Sequence, residues 1–305
     1  MSKTERNLKE TISHGDSMLQ LNVYTNQIID PTIDLYLHWH EEVEIIMVEQ
    51  GQFILNVNGQ DTVANEGDIY FINKQQLHSA HCLNHAPSLR FAIVFNLSFL
   101  GSSHFDACQF KYLDPLSKGQ ILFPTHVLGN SRTGAHIKQA LYHIRDLYNQ
   151  KPYGFELGIK SSLFHVLSTL VLNQELISLD EATFETQSSK LNYVKKALDY
   201  LHAHYDQKMM MTDLANHLTI SNEYLSRLFK AYTGKTPVEY LIYYRIEQAA
   251  KLLVTTDQTI IDIALQCGFD NISYFIKKFK HYKGLTPKQY QKTYGLDEPI
   301  ALVHL

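Results

Sequence analysis

The strongest constraint on this chain is that much of its last third is written twice. "MTDLANHLTISNEYLSRLFKAYTGKTPVEYL" (211–241) returns as "IIDIALQCGFDNISYFIKKFKHYKGLTPKQYQ" (260–291). Asp213-Leu214-Ala215 matches Asp262-Ile263-Ala264 at an offset of 49. After the turn the offset is 50: Leu225 matches Phe275, Phe229 matches Phe279, Lys230 matches Lys280, and Thr236-Pro237 matches Thr286-Pro287. One residue is inserted at the head of the second copy's longer helix. Both copies must therefore fold into the same small motif.

Each copy reads as a short helix, a turn and a longer helix. Leu214, Ala215 and Leu218 form the apolar face of the first short helix, and Ile263, Ala264 and Cys267 that of the second. Ser221 is the expected N-cap of the first longer helix and Asp270 that of the second. Leu225, Leu228, Phe229, Phe275 and Phe279 point inward. Small Ala215 and Ala264 allow close helix approach. The geometry is that of a helix-turn-helix, whose second helix enters the major groove.

Charge agrees with this placement. Residues 1–188 carry 12 Lys+Arg against 20 Asp+Glu, and 189–295 carry 15 against 9. A basic rear behind an acidic front points to a polyanion meeting only the rear.

The stretches "SNEYLSRLFKAYTGKTPVEYLIYYRIEQAAKLL" and "IIDIALQCGFDNISYFIKKFKHYKGLTPKQY" resemble the DNA-binding domain of AraC-family (AraC/XylS) transcriptional regulators. The resemblance covers about 191–294 and implies two helix-turn-helix units joined by a long helix, here about 237–253. It places base reading on Glu223, Ser226 and Arg227 in the first unit, and on Ile272, Ser273, Ile276 and Lys277 in the second. The chemistry fits: Arg227 suits guanine O6/N7, Glu223 suits cytosine N4, and Ile272 or Ile276 suits a thymine methyl. Lys277 stands where the family commonly has Arg, which removes a bidentate fork. Lys230, Lys278, Lys280 and Lys283 are expected at phosphates, which position without specifying.

The first 110 or so residues read as the strands of an antiparallel sandwich or small barrel. "IDLYLHWHEEVEIIMVEQGQFILNVNGQDTVANEGDIYFI" is rich in β-formers and cut by Gly51, Asn58-Gly59 and Gly67. Asn58-Gly59 is a hairpin signal. "LRFAIVFNL" (89–97) reads as a further apolar strand. "HWHEEVEIIMVEQG" and "GDIYFINKQQLH" resemble the two cupin motifs, with Asn73 at the place of the usual Pro. Tyr36, His38, His40, Glu44 and His78 are the expected effector-binding groups. Three imidazoles and a carboxylate also suit Zn, Fe or Mn. A packed barrel whose histidines hold nothing is a third outcome. Tyr70 and Phe71 would suit stacking on a sugar if they line the cavity. Trp39 is expected in the core, and His81 and His85 at the surface.

Two amphipathic helices are expected within 133–178, and the polar stretch "SLDEATFETQSSK" (178–190) reads as a linker. No apolar run suggests a membrane span. Cys82, Cys108 and Cys267 show no CxxC spacing, as expected of free thiols in a reducing cytoplasm.

The expected class is therefore α+β. A cupin-like antiparallel β-barrel (1–110) is followed by a helical connector or dimerisation segment (111–180), a linker (181–190) and a tandem helix-turn-helix domain (191–294). The expected function is a cytoplasmic transcription regulator, homodimeric, answering to a small effector. The resemblance suggests a carbohydrate. The partners are double-stranded DNA at a promoter or operator and RNA polymerase, with no cofactor assigned. The alternative is a cupin metal-dependent enzyme, an oxygenase or isomerase, fused to a DNA-binding domain.

Overall fold

The computed structural model describes residues 9–294 except 11–13, 17, 30–34, 85, 103 and 105. His85, expected at the surface, lies outside them. The chain divides into two compact units, one ending at Leu191 and one running from Asn192 on.

The first unit opens with β1 (Leu21–Ile29), β2 (Leu35–His38), β3 (Val43–Gln50) and β4 (Gln52–Val57). Next come β5 (Gln60–Asn65), β6 (Ile69–Ile72), β7 (His78–Cys82) and β8 (Ser88–Phe95). Short β9 (Ile121–Leu122) and β10 (His126–Val127) precede α2 (Arg132–Gln150), with α1 (Asp114–Lys118) before them. Then come α3 (Phe155–Leu172) and β11 (Ile177–Ser178). One antiparallel sheet runs β1-β8-β3-β6-β10 and another β2-β7-β4-β5. The expected barrel is thus two sheets. Among the described residues no ladder joins them into a closed ring. The Asn58-Gly59 hairpin forms as expected, both residues at positive φ between paired Val57 and Gln60.

Alternation along β3 and β8 explains how the unit is filled. Val43, Ile45 and Met47, with Phe91, Ile93 and Phe95, point to one side and pack with Ile137, Leu141 and Ile144 of α2 and Ile159, Leu163 and Leu170 of α3. Ile46, Val48 and Ala92 point to the other side, toward Phe53, Leu55 and Ala80 of the second sheet. The five-stranded sheet is therefore buried on both faces. Segment 111–180, expected as a connector, belongs to this unit because its helices cover that sheet. By length and composition alone α3 could cross a membrane, but it carries Glu156 and Lys160 and its buried residues belong to this core.

The stretch 181–190 is helical: α4 runs Glu181–Ala203. Polar Ser and Thr residues are tolerated there because the segment's side chains are mostly exposed. After α4 come α5 (Met211–His217), α6 (Asn222–Thr233), α7 (Pro237–Thr255), α8 (Ile260–Gln266), α9 (Ile272–Lys283) and α10 (Pro287–Tyr294). The duplication is visible in the caps. The Ser221 side chain accepts from Tyr224 N–H at 3.2 Å, and Asn271 accepts from Tyr274 N–H at 2.9 Å. The second cap is Asn271, not Asp270 as expected, because the offset of 50 already applies there and Ser221 falls on Asn271. Thr236 and Thr286 begin α7 and α10 in the same way, each accepting from the N–H three residues on.

Candidate functional site

Two arrangements stand out, one in each unit. In the second unit, α5–α6 and α8–α9 are the two helix pairs, and α7 packs on both α6 and α9. All inward residues expected from the pattern are buried, Leu225, Phe229, Phe275 and Phe279 completely. What remains outward is the opposite face. On α6, Glu223, Arg227 and Lys230 are exposed and Ser226 is half-buried. On α9, Ser273, Ile276, Lys277 and Lys280 are exposed. Ile272 is half-buried and packs against the core around Phe275. Arg227 lies over the Tyr224 ring, 5.7 Å from its centroid, which limits the rotamers it must give up on binding. Lys283, expected at a phosphate, instead meets Glu247 of α7 at 2.7 Å.

Gly268 explains why the second turn needs glycine. It has φ +78°, and a Cβ there would sit 2.7 Å from the Tyr205 carbonyl and 2.8 Å from Arg245. Arg245 on α7 donates to the carbonyls of Tyr205 and Gln207 at 2.7 Å each. The long helix is thus fastened both to the chain following α4 and to the turn before α9.

In the first unit, His38 ends β2 and pairs across the ladder with His78, which begins β7. Glu44 reaches the same place from β3, on the face of that strand that looks toward the second sheet. Ring centroids of His38 and His78 are 4.1 Å apart, and those of His40 and His78 are 5.0 Å apart. His40, Glu44 and His78 are buried. The ligating atoms of the three histidines lie within 4.8 Å of one another.

The protonation pattern is set by the backbone. Nδ1 of His38 is 2.8 Å from the Tyr36 carbonyl, Nδ1 of His40 is 3.1 Å from that of Glu42, and Nδ1 of His78 is 2.9 Å from that of Gln76. A carbonyl only accepts, so each Nδ1 carries the proton and each neutral ring keeps a lone pair on Nε2. Nε2 of His40 and of His78 are buried without a hydrogen-bond partner. They face Glu44 Oε2 at 3.6 and 3.2 Å. A lone pair against a carboxylate is unfavourable unless a cation, a proton or a metal ion, lies between. Burial would raise the Glu44 carboxyl, but His40, His78 and Arg90 outweigh it and hold it well below the usual range. Burial also opposes charging His40, yet Glu44 raises it. His38 goes the other way: desolvation, then His78, push it down to about 3. This donor set fits a divalent transition metal, and the shared backbone clamp on Nδ1 is the support that such ligands require.

Some expected members sit elsewhere. The Tyr36 side chain is 44% exposed and contributes its carbonyl to His38. Tyr70 and Phe71 are completely buried, stacked on His126 and Phe123. They are core rather than cavity lining. Asn73, at the place of a Pro, binds both backbone groups of Phe123, at 3.0 and 2.8 Å. Trp39 is buried as expected. Three members were missed: Arg90, Glu10 and His14. Arg90 lies in a strand read as wholly apolar, is buried, and reaches Glu44 Oε1 at 3.5 Å. A buried arginine demands an acid, and that was the available signal. Glu10 and His14 come from the chain's start, where no pattern marks them.

Comparison with known proteins gives a family model described as a helix-turn-helix domain over residues 214–293, and one described as a cupin domain over residues 27–95. The HTH-type transcriptional regulator YdeC of Bacillus subtilis is 28% identical over 300 residues, covering 94% of this chain and 97% of its own. The HTH-type transcriptional activator RhaS of Klebsiella pneumoniae is 28% identical, covering 82% and 85%. The melibiose operon regulatory protein of Escherichia coli is 26% identical, covering 84% and 83%.

Proposed function

For a chain that belongs to the AraC family of transcriptional regulators, with a DNA-binding helix-turn-helix domain and a cupin domain, we propose that DNA occupancy is set by a small ligand held at the histidine cluster. One observation carries the DNA half: a duplicated motif, capped alike in both copies, leaves a matched polar face of α6 and of α9 open. In this reading Glu223, Ser226, Arg227, Ile272, Ser273, Ile276 and Lys277 meet base edges. Lys230 and Lys280 meet phosphates. The unit ending at Leu191 senses the ligand, and the unit from Asn192 on binds DNA. A ligand shifts occupancy only by its difference in affinity for the two states of the protein. Gel shifts with genomic fragments across a salt series test the DNA half. Binding that is neither sequence-selective nor salt-dependent rejects it.

For the ligand, His38, His40, Glu44 and His78 form a polar donor set suited to a small carbohydrate, with Tyr36 holding His38 through its carbonyl. That is the class named for the relative that regulates a melibiose operon. A second reading has its own observation. The orphaned Nε2 atoms of His40 and His78, facing Glu44, fit a divalent metal ion held by His38, His40, His78 and Glu44. Such an ion would lock the ends of β2 and β7 to β3. Metal analysis of the purified chain beside a thermal-shift screen of carbohydrates separates the two. A second copy of the chain is proposed to meet the open face of α3, where Leu157, Phe164 and Leu172 are exposed. A monomer by sedimentation at micromolar concentration rejects that contact.

A further inference from the structure

We propose that Glu10 is an additional ligand of the histidine cluster, reaching it at His38 while Glu44 reaches it at His40 and His78. This rests on the metal reading above and adds a residue from outside both sequence motifs. Its segment is set beside the cluster by the backbone: Lys9 forms a bridge with Trp39, and Glu10 N–H donates to the Trp39 carbonyl at 2.9 Å. Trp39 follows His38 directly, so the Glu10 side chain comes down beside His38, while the His14 ring behind it lies 5.4 Å from that of His40. Glu10 Oε2 is 3.7 Å from His38 Nε2 and 3.2 Å from His14 Nε2.

A hydrogen-bonded chain aims that carboxylate. Tyr24 OH lies 2.8 Å from His14 Nδ1, and His14 Nε2 carries the proton toward Glu10. His14 is itself buried. It precedes a tight turn at Gly15, φ +93°, where a Cβ would strike the Leu19 carbonyl at 2.1 Å. The Asp16 carboxylate closes the turn by accepting from Met18 and Leu19 N–H at 2.7 and 2.8 Å. An imidazole holding a carboxylate from behind is the supporting arrangement usual around a metal ligand.

Glu10 changes what the site takes. Three neutral imidazoles and two carboxylates carry a negative charge that Arg90 balances only in part. Three nitrogens and two oxygens suit Mn²⁺, Fe²⁺, Co²⁺ or Ni²⁺ better than a closed four-ligand zinc site. Because Glu10 is joined by its backbone to Trp39, a cation held by it also orders the segment around residue 10.

The test uses the full chain, stripped with EDTA and titrated calorimetrically with MnCl₂, NiCl₂ and ZnCl₂. Wild type, Glu10→Gln and Tyr24→Phe are compared, and hydrogen exchange is followed over residues 9–20. Wild type should bind one cation per chain. Glu10→Gln should weaken Mn²⁺ and Ni²⁺ at least about tenfold and Zn²⁺ less, with a smaller loss for Tyr24→Phe. Mn²⁺ should protect the segment in wild type and not in Glu10→Gln. Equal affinity and equal protection in Glu10→Gln would overturn the role of Glu10 and leave the metal reading standing. No cation bound by wild type at millimolar concentration would overturn both. Melting without added cation is measured beside the titrations; a small loss from the broken His14 hydrogen bond is expected of each variant, and Tyr24→Phe decides the matter if Glu10→Gln melts far below wild type.

Discussion

Lys283 Nζ lies 2.7 Å from Glu247 Oε2, each side chain about one-sixth exposed at 17%. The pair ties the last turn of α9 to the middle of α7 and neutralises a lysine that its neighbours on α9 do not share. Lys280 should therefore contribute about one unit to the slope of log affinity against log salt, since a phosphate contact releases counterions, while Lys283 should contribute none. Binding isotherms of Lys280→Ala and Lys283→Ala across a salt series check this. Equal loss of slope in both variants would show that Lys283 leaves Glu247 for DNA.

Arg227 projects from α6, its guanidinium over the Tyr224 ring at 5.7 Å. Arg227→Ala is expected to lose about 1–3 kcal/mol on the specific site and to relax selection at one base position, in keeping with a bidentate guanine contact. Randomised-site selection with wild type and variant reads both effects. An unchanged preference with uniformly weaker binding would move Arg227 to the phosphate-contacting class.

Gly268 and Gly234 both sit at positive φ, with different surroundings. A Cβ at Gly234 meets nothing within 4 Å, so Gly234→Ala should cost only the left-handed penalty, about 1–2 kcal/mol. At Gly268 the same Cβ meets the Tyr205 carbonyl and Arg245, so Gly268→Ala should cost clearly more than about 2 kcal/mol. Denaturant melts of the two variants rank them, and a smaller loss at Gly268 would contradict the packing described.

Cys267 is completely buried among Ile263, Phe269 and Phe275, and burial pushes its thiol up to about 12. Cys108 is exposed. Below the raised value the Cys267 thiolate is scarce at any working pH, so alkylation of the folded chain at pH 8 should label Cys108 readily and leave Cys267 protected until unfolding. Peptide mapping of the labelled chain gives the answer. Equal labelling of both residues would mean that the second helix-turn-helix opens locally.

Much of the helical unit was legible because its information is local and stated twice. The positions of Leu225, Phe229, Phe275 and Phe279 follow from helical spacing, and even the misplaced cap at Asp270 was recoverable from the offset, which puts the cap at Asn271. The histidine cluster was legible only in part. His38, His40, Glu44 and His78 carry a recognisable spacing; pairing of β2 with β7 joins His38 to His78, and packing of the two sheets brings Glu44 to them. Arg90 was passed over because one charge inside a strongly apolar run does not disturb its pattern. Glu10 and His14 could not be found, since their place beside the cluster depends on an isolated bridge between Lys9 and Trp39, just past β2, across a stretch with no periodic signal.

The sequence by itself determined the secondary structure of the duplicated unit, its inward and outward faces, and the residue types available for recognition. Side-chain period, caps and turn residues act over a few positions and need no distant partner. The tertiary structure alone decided which charges are already taken, as with Lys283 and Glu247, and which lone pairs are left facing a carboxylate. It also decided which strand ends meet at the histidines, those of β2, β7 and β3. Those outcomes depend on groups distant in sequence meeting at angstrom distances, where burial strips away water and makes each unpaired polar atom costly.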